Sequence, residues 1–256
     1  MFRKFRILFL LIVLATVGLT AWRSQARLTA WEHSIHVALY PIAADDSPTT
    51  AHYVGQLDAD SVAEIGQWIE GESRRYGKNV LQPVVVRIAP PLASRPPLPP
   101  ARPGAFDAIL WSLQLRWWAA RHDTISGPKP QIRLFVLYHD PERTPALPHS
   151  TGLSKGQLGL IHAFASRPQH RQNAVIIAHE LLHVFGASDK YDPASGQPIH
   201  PQGYAEPTRS PLLPQEMAEI MGGRIPLAAE RSEIPDGLAE TLIGPDSARE
   251  IGLLGR

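Results

Sequence analysis

The chain has 256 residues, 44% hydrophobic and 19% charged, which excludes a mainly disordered or fibrous protein. Twenty-five Lys and Arg against 24 Asp and Glu leave a formal charge of +1, too even a balance for a polyanion-binding surface, so no nucleic-acid partner is expected. With no cysteine there is no thiol nucleophile, disulfide framework or Cys-ligated metal, and any metal must be held by His and carboxylate.

Arg3, Lys4 and Arg6 precede an uncharged run from Ile7 to Trp22, and Arg23 and Arg27 follow it. A basic head before an apolar run reads as an export signal or a membrane anchor. Residues 1–27 are therefore expected to form a signal-anchor. The run spans about 24 Å as a helix, against a hydrocarbon core of about 30 Å. Snorkelling of Arg6 and Arg23, with Trp22 at the interface, would close that gap. This puts a single span in the cytoplasmic membrane and residues 28–256 on the extracytoplasmic, periplasmic side. The alternative is secretion after cleavage near Ser24-Gln25-Ala26, which fits the small-x-small rule.

Apolar alternation at Ile35, Val37 and Leu39 predicts a strand over 33–42. Residues 58–76 read as a helix capped by Asp60 or Ser61, with Val62, Ile65, Trp68 and Ile69 on one face. Val84–Ile88 is a β-branched strand. Residues 90–104, with seven prolines, form an extended connector. Residues 105–122 form a helix carrying Ile109, Leu110, Leu113, Trp117 and Trp118, both tryptophans being read as core. Strands follow at 131–138 and 158–165, so His139 and His162 are expected to be satisfied histidines rather than ligands. Alternation of strands and helices predicts an α+β fold of α/β layers, a mixed twisted sheet packed on helices. Residues 28–187 would form an upper subdomain and 188–256 a smaller, loop-rich lower one. Short helices are expected within 210–223 and 235–254, the last capped by Asp246 or Ser247.

Residues 174–192 carry the chemistry. His179-Glu180-Leu181-Leu182-His183 is an H-E-x-x-H pattern on a helix. Four residues apart, His179 and His183 project from one face and can bind one Zn2+ through neutral imidazole nitrogens. Glu180, turned about 100° from His179, sits beside the metal rather than on it. There it can take a proton from a water held by the ion and later pass it to a leaving amine. Gly186 can take a left-handed conformation that ends the helix and returns Asp189 to the metal as third ligand. Glu219 is the main rival for that place, with Glu206, Asp192 and His200 behind it. Tyr191 and Tyr204 are candidate donors to the oxyanion formed when water attacks a carbonyl. Arg224 reads as a surface residue, with the holding of a substrate carboxylate as its alternative role.

The stretch His179-Glu180-x-x-His183-x-x-Gly186-x-x-Asp189 resembles the extended signature of the metzincin clan of zincin metallopeptidases. Its aspartate variant is similar to the snapalysin-like and immune-inhibitor-like secreted bacterial peptidases, the latter with a similar continuation to Asp189-Lys190-Tyr191-Asp192. The resemblance implies a zincin-like catalytic domain with one zinc ion and a methionine turn beneath it, for which Met221 is the counterpart. It also implies an exposed edge strand before the active-site helix to which an extended polypeptide substrate adds, a place taken by 158–165. A third ligand at Glu219 would instead resemble the other zincin branch. Two alternatives stay open: a catalytically idle zincin-fold binding protein, and a zinc hydrolase of cell-wall amides.

Overall fold

The computed structural model describes residues 2–100, 104–153 and 157–255. The apolar N-terminal run forms one unbroken helix, α1 (Phe2–Leu28), and its segment Lys4–Leu28 is long and apolar enough to cross a membrane. The last turn of α1 is docked on the rest of the protein. Gln25 Nε2 donates to the Phe185 carbonyl at 2.7 Å, and Gln157 donates through its amide to Ser24 Oγ. Leu28 is buried, and Trp31 stacks on Phe185 with ring centroids 5.0 Å apart.

Beyond α1 the elements are β1 (Ile35–Ala43), α2 (Pro48–Gly55), α3 (Asp60–Arg75), β2 (Val84–Ile88), α4 (Ala105–Arg121), β3 (Ile132–His139), β4 (Thr151–Leu153), β5 (Leu158–Phe164) and α5 (His170–Phe185). The strands make one sheet in the order β2-β1-β3-β5-β4, parallel except for β4, which runs antiparallel to β5. Alternating side chains split it into two cores. Leu134, Val136 and Tyr138 of β3 pack with α3 and α5, whereas Phe135 and Leu137 face Trp111, Leu115 and Trp118 of α4. The sheet is thus covered on both faces, as parallel strands require.

The expected capping of α3 is carried instead by Asp58, whose Oδ1 accepts from Ser61 N at 3.0 Å and from Ser61 Oγ at 2.8 Å. Trp118 is core as expected, but Trp117 is 65% exposed: the two adjacent indoles point about 100° apart on the helix, and only one faces the sheet.

The expected edge strand 158–165 is not an edge. The side of β5 away from β3 is taken by β4 over Leu158–Leu160, by Ser150 Oγ at His162 N (3.0 Å), and by Asn173 Oδ1 at Phe164 N (3.0 Å). Asn173 Nδ2 also donates to the Phe164 carbonyl at 2.8 Å, so one buried amide pairs with the strand end and pins the start of α5 to it. On this side of the sheet the outermost strand is β4.

After α5 come β6 (Ala218–Glu219), β7 (Ile225–Ala228), β8 (Arg231–Glu233), β9 (Thr241–Leu242) and α6 (Pro245–Glu250). Two-residue β6 pairs with β9, and β7 pairs with β8. No helix forms within 210–223, where prolines 211 and 214 remove backbone donors. The cap of α6 is Gly244; Ser247 points instead to Glu219. Ile220, Met221, Ile243, Ile251 and Leu253 join the core formed by α3 and α5, so the C-terminal loops are packed on the helix that carries the motif.

The two strand histidines satisfy each other: His139 Nε2 and His162 Nδ1 lie 2.8 Å apart. Burial, and then the neighbouring His139, push the His162 imidazole down from 6.5 to about 4. Between pH 6.5 and 4 the unfolded chain therefore binds the extra proton and the folded one does not. Stability from this group is complete above pH 6.5 and is lost as the pH falls through the window, by about 2 kcal/mol after allowing for solvent screening. His162→Gln is expected to lessen the fall in melting temperature between these pH values. An unchanged pH dependence would assign the acid sensitivity elsewhere.

Candidate metal centre

Helix α5 begins as a buried apolar run (Ala174, Val175, Ile177, Ala178) and ends at Gly186, whose φ of 118° is the left-handed conformation that a side chain at Cβ disfavours. Gly186 N donates to the carbonyls of Leu182 and His183, and Ala187 N to that of Leu182. The chain thereby reverses within three residues and carries Asp189 back over the helix face.

The result is a triangle. His179 Nε2 and His183 Nε2 lie 3.1 Å apart, and Asp189 Oδ1 lies 3.1 Å from each. Adjacent ligand atoms of a tetrahedral zinc site, with bonds of about 2.0–2.1 Å, are separated by about 3.3 Å. The other nitrogen of each ring is committed to the backbone. His179 Nδ1 donates to the Ile220 carbonyl and His183 Nδ1 to the Ala187 carbonyl, both at 2.8 Å. These bonds fix the tautomer in which a neutral ring bears its proton on Nδ1 and its lone pair on Nε2. When both rings are neutral, three acceptor atoms converge with no proton of their own among them, an arrangement that a bound cation satisfies. His179, Glu180 and His183 each have a ligand-capable atom within 4.8 Å of the others, so this cluster could hold a metal ion.

The electrostatics agree. Burial disfavours the His183 cation, but hydrogen bonding to Asp189 and to the Ala187 carbonyl, with the negative charge of Glu180, holds its pKa above the ordinary value. Burial also works against ionised Asp189, yet hydrogen bonding to His179 and His183 holds its carboxyl far below the usual range. The site is thus built to keep positive charge at the centre of the triangle.

Glu180 is buried beside it, 7% exposed. Tyr191 has its ring centroid 6.4 Å from that of His179. Burial, and then the charges of Asp189 and Glu180, raise its phenol pKa, so it is a donor at neutral pH. Tyr204 is directed elsewhere: its ring packs edge-on to His200 at 5.1 Å and its backbone bridges to Ala218. His200 Nε2 faces the Pro207 carbonyl, Glu206 pairs with Arg209, and Asp192 accepts from Ser195 Oγ, so none of these joins the triangle.

Nor does the rival Glu219. Its carboxylate, fully buried, accepts from Gly222 N at 2.8 Å, Gly244 N at 2.9 Å and Ser247 Oγ at 2.7 Å. It braces the turn 219–223, in which Ile220 meets His179 and fully buried Met221 accepts from Lys190 N at 2.9 Å. A Cβ at Gly222 would lie 2.4 Å from the Gly203 carbonyl oxygen, so only glycine lets these two loops cross beneath the site. Burial raises the Glu219 pKa against these hydrogen bonds.

Two features were not read from the sequence. A cleft of about 320 Å³ beside His179 and Tyr191 is walled by Val175, Ile176, Ile220, Arg224 and Ile234, which puts Arg224 at the site. The second is a clamp on the loop bearing Asp189. Buried Lys190 lies 2.8 Å from both carboxylate oxygens of Glu250 on α6, which also accept from Ser188 N and Oγ at 2.8 Å. Removing this support is expected to cost about 10–100-fold in metal affinity. Competition against a chromogenic chelator with Glu250→Ala, beside exposed Glu230→Ala as control, checks it; equal affinities would make the clamp irrelevant to the centre.

A scan against protein-family models finds no match, and no curated protein is significantly similar to the chain.

Proposed function

We propose that this chain is a zinc metallopeptidase, held in the cytoplasmic membrane by α1 with its catalytic domain on the extracytoplasmic side. The observation that carries the reading is the convergence of two tautomer-fixed Nε2 atoms and Asp189 Oδ1, with a buried glutamate in the same helical turn. A structural site would have no use for that glutamate, whereas hydrolysis needs a base there.

Bound zinc supplies a Lewis acid that polarises the scissile carbonyl and acidifies a water. His179, His183 and Asp189 would hold the ion. Glu180 takes the proton of the attacking water and delivers it to the leaving amine. Tyr191, kept protonated by its acidic neighbours, donates to the oxyanion. The substrate is a polypeptide in extended form. It adds to the free edge of β4 rather than to 158–165, and places an apolar side chain in the cleft of Val175, Ile176, Ile220 and Ile234. Retention of α1 is supported by its contacts: cleavage after Ala26 would remove the Gln25 hydrogen bond to Phe185, the last residue of the metal-bearing helix.

The test is digestion of a peptide library by the full chain in detergent, with fragments mapped by mass spectrometry. Cleavage beside apolar residues, abolished by a chelator and restored by zinc, is expected. A chain that binds zinc and cleaves nothing would leave the binding-protein reading.

A further inference from the structure

Helix α4 has two apolar faces, and only one is used by the fold. Trp111, Leu115, Trp118 and Ala119 are buried against the sheet. On the opposite side stand Phe106, Ile109, Leu110, Leu113 and Trp117, between 45% and 76% exposed. At 100° per residue these five fall within a stripe about 100° wide running the length of the helix. Among the described residues outside α1, nine large apolar side chains are exposed; the other four (Leu81, Leu98, Ile199 and Ile234) are scattered, so α4 alone presents a contiguous patch. Arg116 borders the stripe on one side and Arg121 on the other, the latter with its guanidinium 5.0 Å from the Trp117 ring. Aromatic and aliphatic residues in a stripe edged by arginine are the composition of a helix lying in a membrane interface.

The occupant is indicated by where the helix lies relative to α1. The chain leaves α4 at Asp123, whose carboxylate accepts from Arg133 Nε at 3.0 Å and Nη2 at 2.6 Å at the start of β3. Arg133 N in turn donates to the Gln157 carbonyl at 3.0 Å, and the Gln157 amide donates to Ser24 in the last turn of α1. The C-terminal end of α4, with Trp117 and Arg121, therefore lies at the same end of the sheet as the point where α1 leaves the domain.

We infer that the outer face of α4 is a membrane-docking surface that lies among the anionic headgroups and upper acyl chains of the bilayer entered by α1. This rests on the reading of α1 as a retained anchor. A single-span anchor lets a domain swivel; a second contact would fix its orientation, and with it the height of the metal centre above the bilayer.

The absence of cysteine makes the test direct, because one introduced thiol is labelled uniquely. Nitroxides are placed at Ile109→Cys, Leu113→Cys or Trp117→Cys of the full chain reconstituted in vesicles of phosphatidylethanolamine and phosphatidylglycerol. Leu11→Cys in α1 and Glu230→Cys on the exposed β7–β8 turn serve as lipid and water references, and thermal melting checks each labelled fold. The α4 positions are expected to be several-fold more accessible to oxygen, and several-fold less accessible to a water-soluble nickel chelate, than position 230. Water-like values at α4 with lipid-like values at position 11 would overturn the docking and leave the anchor intact. Water-like values at position 11 as well would overturn the anchor and the docking together. Spin–spin broadening at position 113 without lipid exposure would make a second copy of the chain the occupant and refute the inference.

Discussion

Glu180→Gln is expected to lower peptide hydrolysis by about 10²–10⁴-fold while zinc content stays at the wild-type level. The substitution keeps the shape of a side chain that is 7% exposed, so the packing of α5 is preserved. What it removes is basicity next to the triangle, where the negative charge of Glu180 acts on both His183 and Tyr191. Elemental analysis and steady-state cleavage on the same preparation separate the two properties. His183→Ala should lose both together, since it removes one corner of the triangle. Activity within a few-fold of wild type in Glu180→Gln would remove the glutamate from the chemistry and with it the peptidase mechanism.

The second large effect concerns the third ligand. Asp189→Ala is expected to weaken zinc binding by more than about 100-fold, beyond the loss from disturbing a supporting residue. Glu219→Gln should leave zinc in place and destabilise the fold by about 1–3 kcal/mol, because the amide NH2 replaces one accepting oxygen and would face either Gly222 N or Gly244 N and Ser247 Oγ. Zinc titration and thermal melting of the two variants give opposite patterns. Loss of zinc in Glu219→Gln with retention in Asp189→Ala would require the turn 219–223 to rearrange and would move the ligand there.

The parts of the fold legible in the sequence are those with a local period. Strands β1, β2, β3 and β5 and helices α3, α4 and α5 fall within a few residues of their expected places, because alternation and 3.6-residue spacing depend only on near neighbours. Helix α2 was not read: its eight residues bury only Thr50, Tyr53 and Val54, too few to set a period, although Ser47 caps it and Pro48 opens it. Strand β4 is three residues long and has no pattern of its own; it exists because β5 offers it an edge. The exposed position of Trp117 was hidden for a related reason. A sequence gives the angle between two side chains on a helix, and the sheet decides which of them it covers.

At the candidate site the same division holds. The placing of His179, Glu180 and His183 on one helix, and the reversal at Gly186, follow from residue type and spacing within a dozen residues, so the sequence alone determined them. It also determined that any metal ligands would be nitrogen and oxygen, and that α1 is apolar enough to span a membrane. Only the tertiary structure shows which of Asp189 and Glu219 lies against the imidazoles, since both are carboxylates downstream of the helix. One is swung over the imidazoles by a four-residue loop, and the other is consumed by three donors from segments that meet only when the chain is packed. The same is true of the Ile220 carbonyl that sets the His179 tautomer and of Glu250 beneath Lys190. Each joins residues far apart in the chain, and such contacts have no signature in local composition because their energy appears only when the core brings both partners together.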